Sequence, residues 1–200
     1  QRNRQLCRRR HSTQFCDRIV IDYFKNFVSQ HTLDKIWNAF ESNPVWLWRT
    51  YNAGHKPFWI YDIFDKLDFE NNQFICKWKN NPDPVFLEIL EQIKKQAGEN
   101  FVPWRFIINK QTQGLDSGIH SDFPKEEQKS RTYILYVNKD WHKDWGGETV
   151  FYNDKKEEID RCIPEPGKLI CYDSQMFHQG LAPLNNATRI TLAVHGKYNS

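Results

Sequence analysis

Past Gly98 the chain breaks into seven short runs rich in Ile, Val, Tyr and Thr, at residues 102–110, 118–123, 131–137, 148–152, 159–163, 168–173 and 188–195. Gly, Pro, Asn or Asp separates them. β-Branched and aromatic residues fit a pleated, half-buried surface, and turn residues at such intervals leave little room for helices between strands. A series of this kind closes into a sandwich or a barrel, of which the jelly roll is one form.

The first hundred residues read differently. The run RIVIDYF at 18–24 is short, β-branched and aromatic, as a first strand would be. Between His31 and Glu41 the apolar Leu33, Ile36, Trp37 and Phe40 recur at helical spacing, and Asn43-Pro44 ends that helix. Residues 45–51 alternate as a strand before the turn at Asn52-Ala53-Gly54. Residues 55–81 carry many aromatic side chains among polar ones and show no clear period. A second helix follows the loop at 80–84, with Val85, Ile89, Leu90 and Ile93 as its buried stripe. Lys94 and Lys95 suit the negative end of its dipole, and Gly98 stops it. The expected fold is mainly β with flanking helices (α+β), the N-terminal helices buttressing one face of a jelly roll.

Composition bounds the function classes. Two hundred residues, 39% hydrophobic and 15% aromatic, suit one packed domain over 19–200. Residues 1–18 hold six Arg against Asp17 alone, a local +5 within a net +3, so the body carries −2. That stretch reads as a basic, solvated arm, and the near-neutral body argues against a nucleic-acid-binding protein. No apolar run approaches the roughly 20 residues of a membrane span, and no secretory signal or lipidation motif is visible. Five widely spaced cysteines, an odd count without a CxxC pair, suit a reducing compartment, and a cytoplasmic location is the expectation.

The chemistry gathers at His120-Ser121-Asp122. In an extended segment residues i and i+2 share a face, so this imidazole and this carboxylate can approach one metal ion. His178, 58 residues on, supplies a second imidazole from elsewhere in the fold. Two imidazoles and one carboxylate are the facial ligand set of mononuclear non-haem Fe(II), with positions left open for a cosubstrate and O₂. The resulting +1 centre favours a chelating 2-oxo acid. A rival pair, His142-Lys143-Asp144, has His178 only 36 residues on and lies between two tryptophans in a loop. Arg189 follows His178 by 11 residues within the otherwise apolar run 188–195. A guanidinium there matches the distal carboxylate of 2-oxoglutarate bidentately, and Thr191 falls on the same face with a hydroxyl to add.

Further motifs surround this centre: YILYVNKDW at 133–141, GGETVF at 146–151, PGKLICYD at 166–173, Phe177-His178 and Arg189-Ile190-Thr191. With His120-Ser121-Asp122 they make the segment from about Arg105 to Tyr198 resemble the 2-oxoglutarate/Fe(II)-dependent dioxygenase superfamily, in particular its prolyl 4-hydroxylase-like branch. The run IVIDYF at 19–24 is similar to the family's opening strand. The resemblance implies a double-stranded β-helix, with His120, Asp122 and His178 as iron ligands and Arg189 at the C5 carboxylate of 2-oxoglutarate. It also implies that the Tyr136 hydroxyl assists at that carboxylate and that Asn109 lies near the metal-side carboxylate. The Gly146-Gly147 pair and Pro166-Gly167 read as tight turns. The implied enzyme uses Fe(II), 2-oxoglutarate and O₂, with ascorbate as reductant, and releases succinate and CO₂ as it hydroxylates its substrate. A prolyl residue in a peptide or protein is the expected substrate. The alternatives are a small metabolite, a free amino acid or a nucleobase. The nucleobase version lacks the further Arg residues expected after Arg189. A non-catalytic metal-binding jelly roll fits poorly with retention of all three ligands and Arg189.

Overall fold

The computed structural model describes residues 20–42, 46–49, 57–70, 73–78, 82–123 and 129–199. The basic arm at 1–18 lies outside them. Two helices and eleven strands are laid down in the order β1 (Asp22–Phe24), α1 (Gln30–Ser42), β2 (Leu47–Arg49), β3 (Phe58–Glu70), β4 (Gln73–Trp78), α2 (Pro84–Ala97), β5 (Phe101–Gln111), β6 (Ser130–Tyr136), β7 (Thr149–Tyr152), β8 (Glu158–Cys162), β9 (Leu169–Asp173), β10 (Phe177–Gly180) and β11 (Arg189–Tyr198). A major antiparallel sheet runs β1-β9-β6-β11-β5-β3-β2, with β4 paired to β3, and a minor sheet runs β10-β7-β8. This is a jelly roll with helices on one side.

Strand alternation divides the interior in two. On β11, Ile190, Leu192 and Val194 face the helices, where they meet Ile36 and Phe40 of α1 and Ile89 and Ile93 of α2. Ile36, Ile89 and Ile93 are fully buried, each contributing roughly 2–3 kcal/mol relative to exposure. The opposite face of the same sheet packs Ile107, Ile134, Tyr172 and Ala193 against Phe151 and Cys162 of the minor sheet. That second layer is thinner, and it opens into the cavity described below.

Both helices end where the sequence says they should. Asp83 caps α2 by accepting from the Val85 N–H at 3.0 Å, Pro84 opens it, and Gly98 at φ +103° closes it through a bond to the Lys94 carbonyl. Ser29 accepts from Thr32 N–H at the start of α1, and Trp37 Nε1 donates to the Val137 carbonyl at 2.7 Å, tying the helix to the end of β6.

Three expectations change. Within the aromatic stretch 55–81, which shows no period, residues 58–70 and 73–78 form the antiparallel pair β3 and β4, and the rest of the stretch but residue 57 lies outside the described residues. The run expected as a strand at 118–123 is irregular, and its one ladder contact is an isolated antiparallel bridge between His120 and His178. Gly114 and Gly118 flank that approach, and only His120 finds a strand partner. Conversely β10, with a single bulky apolar residue in FHQG, carries no strand signature of its own and pairs with β7 through tertiary placement. Of the strand expected at 45–51, Leu47–Arg49 is seen, while residues 45, 50 and 51 and the turn expected at 52–54 lie outside the described residues.

Candidate metal centre

Three neighbouring strands build the floor of the site. In register, β5, β11 and β6 place Gln111 beside Arg189, then Asn109, Thr191 and Tyr136 in a row. Ile107, Ala193 and Ile134 follow, and then Arg105, His195 and Thr132. Rows on one face are about 7 Å apart, two residues of strand rise. Except for Tyr136, every side chain of these rows lines a cavity of about 150 Å³. His178 reaches it from β10 of the minor sheet, and His120 and Asp122 from the irregular segment bridged to β10.

The ligand atoms of His120, Asp122 and His178 all lie within 4.8 Å of one another, and no other such group occurs among the described residues. His120 Nε2 stands 3.7 Å from Asp122 Oδ1, and His178 Nε2 stands 3.6 Å from Asp122 Oδ2. Each imidazole is oriented by backbone: Nδ1 of His120 meets the Gly118 carbonyl at 2.8 Å, and Nδ1 of His178 meets the Met176 carbonyl at 3.0 Å. A carbonyl accepts only, so both rings carry hydrogen on Nδ1 and turn the Nε2 lone pair inward, as metal-binding histidines do. Backbone bonds between His120 and His178 in both directions, and from Asp122 N–H to the Ser174 carbonyl, hold the segment in place. The donor set therefore fits a divalent transition metal of the Fe(II) type.

Electrostatics keep the set ready to bind. Burial pushes the His178 pKa down to about 4, against the pull of Asp122, so its ring is neutral near pH 7. Burial acts to raise Asp122, yet His178, His195, His120 and the Thr132 hydroxyl together hold its carboxyl well below the usual range. Its Oδ2 accepts from Thr132 at 2.7 Å and from Tyr172 at 3.2 Å. Burial and the Asp122 charge push the Tyr172 phenol far above its ordinary pKa, so it stays a neutral donor.

Arg189 forms the other end of the cavity, 3% exposed. Its Nε donates to the Gly147 carbonyl at 2.7 Å, Nη1 to Gln111 Oε1 at 2.6 Å, and Nη2 to Thr149 Oγ1 at 2.8 Å. Gln111 is oriented for this by its own amide nitrogen, which donates to the Leu115 and Gly180 carbonyls. Gly147 sits at φ +76°, and a Cβ there would meet the Trp141 ring at 2.6 Å; a Cβ on Gly180 would come within 3.4 Å of Nη1. These glycines let backbone close around the guanidinium. Three of its five N–H groups are used, leaving one on each terminal nitrogen. No carboxylate lies within ion-pair distance of it among the described residues.

The remaining sequence candidates fall as follows. Thr191 and Asn109 are cross-strand partners on the cavity face, and Asn109 Oδ1 has no hydrogen-bond partner. Tyr136 does not line the cavity: its hydroxyl donates to Thr149 at 2.7 Å, and its ring lies 5.6 Å beneath the Arg189 guanidinium. His142 and Asp144 lie at the exposed 3-10 turn Lys143–Trp145, away from the ligand group. Sequence reasoning passed over Thr132, Thr149, Tyr172 and His195. The alternation 189, 191, 193, 195 along β11 puts His195 on the Arg189 face, but its partners Thr132 and Asp122 are set by the fold.

Residues 106–195 match the family model described as the 2OG-Fe(II) oxygenase superfamily. None of the curated protein sequences matches this chain significantly. Solved structures do. A prolyl-4-hydroxylase of Pseudomonas putida superposes with a TM-score of 0.65 at 13% identity, over 90% of this chain and 93% of that one. A prolyl hydroxylase from Trichoplax adhaerens, in complex with a peptide fragment of the hypoxia inducible factor oxygen degradation domain, gives 0.64 at 14%, over 89% and 83%. The non-heme alpha ketoglutarate dependent carbocyclase SnoK of nogalamycin biosynthesis gives 0.64 at 9%, over 88% and 80%. At these identities the likeness concerns the fold. Residues 106–195 thus carry the likeness to the 2OG-Fe(II) oxygenase superfamily, and the jelly roll is the fold common to these structures.

Proposed function

We propose that this protein is an Fe(II)- and 2-oxoglutarate-dependent hydroxylase acting on a prolyl residue of a peptide or protein. Arg189 carries the reading. Burying a guanidinium costs several kcal/mol unless an anion compensates it, and none of the described carboxylates does. A dicarboxylate bound in the same cavity, one end at Arg189 and the other at the ligand trio, supplies that anion.

The bound Fe(II) would supply the activation of O₂ that couples decarboxylation of 2-oxoglutarate to hydroxylation. His120, Asp122 and His178 would hold it through Nε2, a carboxylate oxygen and Nε2. Thr132 and Tyr172 restrain Asp122 Oδ2, which turns Oδ1 toward His120. Arg189 would offer its two remaining N–H groups to the distal carboxylate. Thr149 accepts from both Tyr136 and Arg189, so its own hydroxyl hydrogen is free to join them. Tyr136 acts behind Thr149, while Thr191 and Asn109 continue the polar wall toward the metal end.

The prolyl reading draws on the prolyl hydroxylases among the similar structures, one of them peptide-bound. SnoK has the same fold and another chemistry, and fold alone does not fix a substrate. The test is direct. Metal-stripped protein is given Fe(II), 2-oxoglutarate, ascorbate and proline-bearing peptides, and products are weighed for a gain of one oxygen. Turnover of a free metabolite with no gain on any proline peptide removes the prolyl reading. No succinate from any substrate removes the oxygenase reading.

A further inference from the structure

A β-bulge marks the end of the cavity opposite Arg189. β11 and β5 pair one-to-one as far as His195 with Arg105, but the next pair is Gly196 with Pro103, which leaves Trp104 as an extra residue on β5. Bulges re-aim the side chains beside them and are common next to active sites. Here the Trp104 indole lies against the His195 ring, centroids 5.4 Å apart at 38°, and Phe123 packs on the same indole at 5.3 Å. His195 is 3% exposed and lines the cavity. Among the buried polar atoms at this end, His195 Nε2 and Trp104 Nε1 have no hydrogen-bond partner.

The neighbours of His195 fix its tautomer. The Thr132 hydroxyl gives its hydrogen to Asp122 Oδ2, so its oxygen faces His195 Nδ1 at 3.3 Å as an acceptor. Asp122 Oδ2, another acceptor, is 3.5 Å from the same nitrogen. Nδ1 therefore carries the ring hydrogen, and Nε2 presents a lone pair with nothing to receive. Trp104 packs on this ring without lining the cavity, while the Arg105 guanidinium, on the strand partner of His195, does line it. The two ends of the cavity thus differ in kind: donors converge at Arg189 and suit an anion, whereas at the other end the His195 acceptor stands in one row with the Arg105 guanidinium.

We infer that His195 is the substrate-reading residue of this site, its Nε2 accepting a backbone N–H of a bound peptide. Proline has no N–H, so the residue read is a neighbour of the target proline. The inference rests on the peptide-hydroxylase reading of the same cavity.

Two substitutions separate the nitrogens. His195→Asn puts an amide nitrogen where Nδ1 is and deletes the acceptor. His195→Gln puts an amide oxygen where Nε2 is and deletes the Nδ1 donor. The probes are a proline-bearing peptide and its analogues in which an ester replaces one backbone N–H adjacent to the proline. Both are titrated calorimetrically, without O₂, into protein loaded with Fe(II) and 2-oxoglutarate. One ester should bind the wild type roughly tenfold more weakly than the amide, the loss of one buried hydrogen bond. His195→Asn should bind amide and ester alike while keeping the visible Fe(II)–2-oxoglutarate absorption band, and His195→Gln should still prefer the amide. Equal binding of every ester and the amide by the wild type overturns the inference, as does an undiminished preference in His195→Asn. Loss of the absorption band in His195→Asn overturns it too, since His195 would then serve the metal alone. A wild type that binds peptide with the amide preference but hydroxylates none removes the prolyl reading and leaves His195 in place. A wild type that binds no peptide removes both.

Discussion

Replacing Thr149 by Val keeps the side-chain shape and deletes a single oxygen. That oxygen accepts from the Tyr136 hydroxyl at 2.7 Å and from Arg189 Nη2 at 2.8 Å. Both donors are buried, so water does not replace the lost acceptor. A stranded neutral donor costs about 1 kcal/mol and a stranded guanidinium N–H about 2 kcal/mol, together about 3 kcal/mol. For a domain of this size each kcal/mol lowers Tm by roughly 2–4 °C, so Thr149→Val should melt roughly 6–12 °C below wild type in the metal-free protein. Binding of 2-oxoglutarate should weaken separately, because the free hydroxyl hydrogen of Thr149 is lost to the carboxylate. A charge-assisted bond of about 1.5–3 kcal/mol corresponds to roughly ten- to hundredfold in Kd. Calorimetric melting gives the first quantity, and anaerobic titration of the Fe(II)–2-oxoglutarate absorption band gives the second. Tyr136→Phe is the control, since it leaves Thr149 on Arg189 and should change Kd by less than about threefold. If Thr149→Val binds 2-oxoglutarate normally while Tyr136→Phe binds it tenfold worse, the Tyr136 hydroxyl reaches the carboxylate and this reasoning is wrong.

Other perturbations test the rest of the site. Burial holds His178 and His195 at a pKa of about 4, against 6.5 in the unfolded chain. Between those values the unfolded chain takes up protons that the folded chain refuses, so metal-free stability should fall on acidification from about pH 6.5 to about 4; a flat Tm between pH 7 and 4.5 would contradict this. Gly147→Ala combines a left-handed φ of +76° with a Cβ 2.6 Å from the Trp141 ring. It should displace the carbonyl that holds Arg189 Nε, lowering Tm and weakening 2-oxoglutarate by tenfold or more; unchanged values for both would show that the loop relaxes freely. The Fe(II)–2-oxoglutarate band should vanish in His178→Ala and survive in His142→Ala. The reverse result would move the centre to the 3-10 turn.

Some of this architecture was legible because its signals are local. The period-two pattern of 188–195 marks a strand with two different faces, and α2 announces itself through its apolar stripe, Lys94, Lys95 and Gly98. The segment 118–123 misleads for a related reason. A single bridge to His178 extends His120 as a strand would, so the residue pattern looks the same although no ladder continues. The pairing of β3 with β4 hides behind a run of residues with no clear apolar period.

By itself the sequence determined which residues have the chemistry for a metal and a dicarboxylate, since side-chain type and spacing are local properties of the chain. His120-Ser121-Asp122, His178 and Arg189 stood out on those grounds, and the fold brings the three ligand side chains to within 4.8 Å. Only the tertiary structure decided what surrounds them. Thr149 meets Arg189 across 40 residues, Gln111 meets it across 78, and Thr132 meets His195 across 63. Those contacts depend on which strands lie side by side and in what register, and one extra residue at Trp104 resets the register at the far end. Pairing over such separations is settled by packing of the whole sheet, and no local pattern encodes it. The Arg189 end was therefore visible in the chain, whereas the His195 end was written by the fold.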